Sequence, residues 1–202
     1  MQAYQAATDF LSALDDDWAA LIATVGACTF ETRPEREPYQ ALVRAVAYQQ
    51  LHGKVGDAIL KRFLSMHGDV FPKPNQLLAT EFDALRACGF SGRKIETIKG
   101  IAEGALTGLV PSRLEADAMP DEELIKRLIT LKGIGRWTVE MLLMFTLERL
   151  DVLPADDFGV LQGYKRLKHL ENAPNRKQIT EIGKAWSPYR TIASWYLWRV
   201  PK

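Results

Sequence analysis

Two short clusters carry residue types suited to chemistry. Leu131-Lys132-Gly133-Ile134-Gly135-Arg136-Trp137-Thr138 sets two glycines around one isoleucine, and Pro154-Ala155-Asp156-Asp157-Phe158 sets two carboxylates before an aromatic ring. A Gly-x-Gly turn frees φ to go positive and lets a ligand approach the main chain closely. If a helix starts at Arg136, its first N–H groups lack partners within the helix, and such a terminus attracts phosphate without any side chain. Taken alone, Asp157 reads as the N-cap of a helix running to His169. Near the C-terminal end, Tyr189, Trp195, Tyr196 and Trp198 crowd together. Such a cluster is either core or an electron-rich wall that attracts a cation by stacking and cation–π contact.

These residues need helices to position them. Asp121 to Leu131 is a predicted helix, opened by Pro120 and three acids, with Leu124, Ile125, Leu128 and Ile129 as its apolar stripe. Arg136 to Leu147 is a second, almost wholly apolar and therefore central helix. Upstream, Pro38 opens a helix that ends in Tyr48-Gln49-Gln50-Leu51-His52-Gly53, and Val55 to Met66 forms the next. Read from the chain alone, that polar cluster satisfies loose carbonyls at a helix end. Leu77 to Cys88 is a short helical pair, and Ser91 caps a helix through Leu106 that Gly104, Gly108 and Pro111 end. Arg93 and Lys94 oppose the dipole of its first turn, which points to packing or to phosphate contact. Residues 1–27 form one or two helices, broken or capped at Asp15-Asp16-Asp17, and Ser187-Pro188 caps a last helix through Arg199.

Period-2 alternation is absent, so the expected class is all-α. The expected organisation is two helical lobes with a cleft between them, residues 1–37 with 161–202 as one and 38–160 as the other. The two cysteines, Cys28 and Cys88, sit apart in apolar surroundings and read as buried thiols, so no zinc or iron–sulfur site is expected. No signal peptide or spanning helix is visible, and a cytoplasmic monomer is expected. The net charge is only +1, yet residues 1–40 carry seven acids and two bases while 161–202 carry nine bases and two acids. That polarity suggests one end facing a polyanion, or a solvated helical surface.

The segment Leu131–Phe158 resembles the helix-hairpin-helix DNA glycosylases, and within them the 3-methyladenine DNA glycosylase II branch. The likeness is weaker in Tyr48–Asp57 and Gly89–Lys94 and spans about Pro38 to Trp198. It implies base-excision repair on double-stranded DNA with alkylated bases: a flipped nucleotide, hydrolysis of its N-glycosidic bond, and an abasic product. It makes Asp157 the catalytic carboxylate, with Asp156 as cap or support, and Trp137, Trp198, Tyr189 and Phe158 the base pocket. Trp195 and Tyr196 are left for the core. Gln50 becomes the plug that fills the vacated stack, with Leu51 beside it and His52 on the strand. Lys132, Gly133, Ile134, Gly135, Arg136 and Thr138 become the DNA-gripping hairpin, the three middle residues offering N–H groups to phosphate. The carbonyls of Ile129, Leu131 and Ile134 would hold a structural sodium or potassium ion, and catalysis would need no cofactor.

Tryptophan at 137 stands where the strand-nicking branch carries a Schiff-base lysine, so a monofunctional enzyme is expected. The residues before Pro38 show no strand pattern, so the N-terminal β-domain of some members is not expected. Two rivals remain at this point. One is a non-catalytic helix-hairpin-helix module, which needs neither Asp157 nor the aromatics. The other is a glycosylase for neutral lesions such as hypoxanthine or ethenoadenine, whose leaving group wants a proton donor that only His52 offers.

Overall fold

A computed structural model describes residues 4–51 and 53–201. Among the described residues every regular element is helical. In order they are α1 (Gln5–Ser12), α2 (Asp16–Val25), α3 (Pro38–Tyr48), α4 (Gly53–Met66), α5 (Pro74–Ala79), α6 (Phe82–Cys88), α7 (Gly92–Thr107), α8 (Arg113–Ala118), α9 (Asp121–Leu128), α10 (Arg136–Phe145), α11 (Phe158–Leu167), α12 (Arg176–Ile182), a 3-10 turn (Gly183–Trp186) and α13 (Arg190–Leu197). The short helices α8 and α12 each start on a capping box, Ser112 with Glu115 and Asn175 with Gln178, a signal that the apolar pattern alone does not show. Asp15 caps α2 through the Trp18 N–H and Ser91 caps α7 through Lys94, as their spacing predicts. Gly104 does not end α7. It lies inside the helix against Val110 and Leu131, and Gly108, left-handed at φ 82°, closes it. The last helix begins at Arg190, after a cis Ser187–Pro188 peptide, with Tyr189 rather than Ser187 at its cap position.

The chain divides into two compact units: Arg33–Leu142, and the residues up to Thr32 joined with those from Leu143 onward. The expected limits from the sequence are 37 and 160.

The central unit packs α7 against α3 and α5 around fully buried Leu42, Phe63, Leu77, Phe90, Ile95 and Ile98. The two basic side chains at the start of α7 separate here. Lys94 donates from Nζ to the Ala47 carbonyl at 3.0 Å, so it braces the end of α3. Burial also pulls its pKa below the ordinary lysine value. Arg93 stays exposed. The terminal unit buries Trp18 edge-on against Trp186, their centroids 5.6 Å apart, together with Trp195 and Tyr196. Those last two are core, as expected. Cys88 is buried, while Cys28 is only half-buried. Part of the C-terminal positive charge is consumed inside this unit: Lys168 pairs with Asp15 and Asp17, Arg176 with Asp156, and Arg190 with Asp151. Among the described residues no helix is long and apolar enough to cross a membrane.

Candidate functional site

In the central unit the turn between α9 and α10 separates the two glycines. Gly133 takes φ 85°, and a Cβ there would collide with Thr97 Oγ1 and sit 3.0 Å from its Cγ2. Gly135 has ordinary φ and nothing within 4 Å of its would-be Cβ. Gly133 is thus required by the fold, and Gly135 leaves its main chain open to an incoming group. The Ile134 N–H, one of three expected to face phosphate, closes the turn onto the Leu131 carbonyl at 3.1 Å. Among the described residues the N–H groups of Gly133 and Gly135 have no hydrogen-bond partner. Both glycines are exposed.

The hairpin's side chains sort differently from the expectation. Lys132 is 83% exposed and pairs with Glu96 at 2.7 Å on the surface, a contact that contributes little and that another anion can displace. Arg136 points inward: Nε donates to Glu140 Oε1 at 2.9 Å, and the other nitrogens grip Glu122. Glu140 is 3% exposed, so Arg136 serves to hold a buried carboxylate. Thr138 is 4% exposed, and its N–H bonds the Gly135 carbonyl, which places it behind the turn rather than on the ligand side. Trp137 stands well exposed on the first turn of α10. The Leu131 and Ile134 side chains are buried and Ile129 is exposed. The Leu131 carbonyl already accepts the Ile134 N–H, and an ion there would share it.

The loop after α3 is held by contacts that the sequence did not reveal. Gln49, one residue before the expected plug, donates from Nε2 to the Gly133 carbonyl at 3.1 Å and so ties this loop to the hairpin. Tyr48 lies over Gly56, where a Cβ would enter its ring, and its hydroxyl donates to Asp57 at 2.5 Å. Burial, then the Asp57 carboxylate, push the Tyr48 phenol above its ordinary pKa. Gln50 is exposed with φ 57°, a left-handed conformation that few side chains adopt outside special sites, and Leu51 beside it is exposed too. His52 lies outside the described residues.

In the terminal unit, Asp157 is the N-cap of α11: its Oδ1 accepts the Val160 N–H at 2.8 Å. The same oxygen accepts the Trp198 indole N–H, also at 2.8 Å. The carboxylate is half-buried, not sealed in the cap. One oxygen thus both caps α11 and accepts from the indole. Asp156 is not the cap; it pairs with Arg176 Nη1 at 2.8 Å. Trp198 lies parallel to Phe145, the rings 10° apart in tilt and 6.2 Å between centroids. The main chain before Asp157 is stitched to the start of α13. Thr191 N donates to Leu150 O at 2.9 Å, Thr191 Oγ1 donates to Arg149 O at 2.6 Å, and Val152 N donates to Thr191 Oγ1 at 3.1 Å. Tyr189 is half-buried with its edge on Phe10 at 5.4 Å. Phe158 is 76% exposed.

In the terminal unit a half-buried carboxylate accepts from the Val160 N–H and the Trp198 indole, and in the central unit a glycine turn leaves two N–H groups open. Residues 43–188 match the family described as HhH-GPD superfamily base excision DNA repair protein, and this chain belongs to it. It is 46% identical over 198 residues to DNA-3-methyladenine glycosylase 1 of Schizosaccharomyces pombe, across 95% of this chain and 85% of that protein. It is 39% identical to the alkylbase DNA glycosidase-like protein mag2 of the same yeast, across 98% and 94%. Among solved structures it is similar to the S. pombe 3-methyladenine DNA glycosylase (Mag1) in complex with abasic DNA, with a TM-score of 0.90, 45% identity and 96% of each chain covered. It is also similar to a DNA-3-methyladenine glycosidase from Bacillus halodurans, with a TM-score of 0.84 and 36% identity over 96% of this chain and 88% of that one.

Proposed function

We propose that this protein hydrolyses the N-glycosidic bond of alkylated purines in double-stranded DNA, releases the base and leaves the strand intact. The observation that carries the reading is the Asp157 carboxylate, held by the Val160 N–H and the Trp198 indole. Departure of the base leaves positive charge on the sugar, and a fixed carboxylate beside C1′ stabilises it without reorganising. It also orients the attacking water. A methylated purine such as 3-methyladenine or 7-methylguanine is cationic before it leaves, so no general acid is needed. The names of the two yeast relatives and the abasic DNA bound to Mag1 support this substrate class.

The central unit supplies the grip on DNA. Gly133 and Gly135 offer N–H groups to a phosphate, with Lys132 adding charge from an exposed position. Gln50 and Leu51 stand ready to fill the gap left by the flipped nucleotide. An ion on the Ile129, Leu131 and Ile134 carbonyls would stiffen the turn and take no part in bond cleavage. Trp137 offers no amine for a Schiff base.

The test is a panel of duplexes carrying single lesions, incubated with purified protein, with and without borohydride. Free methylated base with no trapped adduct is expected. A covalent protein–DNA adduct would contradict the monofunctional reading, and DNA binding without release of any base would favour a non-catalytic module.

A further inference from the structure

Helix α11 has glycine at its second and sixth positions, Gly159 and Gly163. Glycine inside a helix is unfavourable relative to alanine, so two of them one turn apart call for a packing cause. A Cβ on Gly163 would meet the Leu197 carbonyl oxygen and lie 2.7 Å from its carbon. The end of α13 therefore rests on bare α11 backbone. A Cβ on Gly159 would lie 2.7 Å from Trp198 Cδ1, 3.1 Å from Trp198 Nε1 and 3.0 Å from Asp157 Oδ1. Nε1 and Oδ1 are the donor and acceptor of one hydrogen bond, the 2.8 Å contact from the indole to the carboxylate. Gly159 leaves the space in which that bond forms.

We propose that Gly159 and Gly163 are positioning residues for Asp157. They form a notch on α11 that admits the C-terminal end of α13, so that a donor from a second helix fixes the carboxylate. The inference rests on Asp157 being the reacting group. The Val160 N–H comes from the same helix and anchors Oδ1 to the cap. The Trp198 N–H comes from outside that helix and sets how the carboxylate is rotated. A methyl group in the notch pushes the indole away or turns the carboxylate, and either shift moves the charge relative to the sugar.

The experiment compares wild type, Gly159→Ala, Trp198→Phe, the double variant and Asp157→Asn. Single-turnover release of 7-methylguanine is measured beside affinity for an abasic duplex and melting temperature. Misplacement on the order of 1 Å costs roughly a hundredfold in rate. Gly159→Ala is expected to lose that much while keeping its affinity; crowding against the indole lowers its melting temperature by several degrees, and a rate lost without affinity is a split that a merely structural residue would not give. Trp198→Phe keeps the ring and removes the N–H, so it should slow release as well, and the double variant should be no slower than the slower single one. If Gly159→Ala releases base at the wild-type rate while Asp157→Asn is inactive, the positioning role is wrong and the catalytic reading stands. If Asp157→Asn keeps the wild-type rate, the catalytic reading itself fails and the inference falls with it. Additive losses in the double variant would also overturn it, since the glycine would then act by another route. Should Gly159→Ala alone fail to fold, the double variant read against Trp198→Phe decides the matter: equal rates support the positioning role, and a further loss overturns it.

Discussion

Gly133 and Gly135 look equivalent in the sequence, and the structure predicts that replacing them has opposite consequences. At Gly133 an alanine must hold φ 85°, which costs about 1–2 kcal/mol for a residue with a Cβ. Its methyl group also meets the Thr97 hydroxyl, in a side chain 6% exposed with little room to move. Overpacking of that kind costs about 1–3 kcal/mol. The two effects sum to about 2–5 kcal/mol, which for a chain of this size lowers the melting temperature by about 4–20 °C. Gly133→Ala should therefore melt early. Gly135→Ala meets neither obstacle and should melt within about 2 °C of wild type. Its methyl group projects into open space beside the turn, so on the proposed reading it should weaken binding to an abasic duplex instead. Thr97→Ala combined with Gly133→Ala removes the hydroxyl and one methyl group, and should recover the packing loss but not the φ strain. Differential scanning calorimetry with fluorescence anisotropy on one DNA duplex reads both quantities. Equal melting temperatures for Gly133→Ala and Gly135→Ala would refute the reasoning.

Gln49→Ala removes the tie from Nε2 to the Gly133 carbonyl, a bond contributing about 1 kcal/mol to stability, and should weaken DNA binding more than this small loss suggests. Titrating an abasic duplex against the variant checks this. Arg136→Ala removes one charged donor, at 2.9 Å, from buried Glu140 and should destabilise by about 2 kcal/mol in a urea melt. Lys132→Ala breaks only an exposed pair, so stability should hold while the salt slope of DNA binding falls by about 1. Asp151 is pulled up by its own burial but held below the ordinary carboxylate range by Arg190, then Ser187. Because its folded value is the lower one, its contribution is complete above about pH 3.9 and disappears as pH falls through the folded value. Melts of wild type and Asp151→Asn should differ at neutral pH and converge in strong acid.

The hairpin, the all-helical class and the capping role of Asp157 were legible because each depends on local spacing. Asp157 could not be resolved from the chain alone into cap or presented group. The structure shows the cap and adds a second donor, Trp198 Nε1, on the same oxygen. The roles of Gly159 and Gly163 were invisible because they depend on Leu197 and Trp198, more than thirty residues away in sequence. The same holds for Gln49, whose partner is the Gly133 carbonyl. Arg136 looked like a phosphate ligand by its place beside the turn. Only Glu140, a buried acid within an apolar helix, hinted that the charge was needed inside. Lys94 at the start of α7 is the reverse case, an apparent conflict with the helix dipole that the Ala47 carbonyl settles in favour of packing.

The most direct measurement is single-turnover release of 3-methyladenine and 7-methylguanine from methylated duplex DNA by wild type and by Asp157→Asn, with affinity for an abasic duplex determined on the same preparations. Loss of a fixed group that stabilises transition-state charge slows the chemical step by about a hundredfold to a thousandfold. The account predicts that loss with DNA affinity retained. Release by Asp157→Asn at the wild-type rate would contradict it.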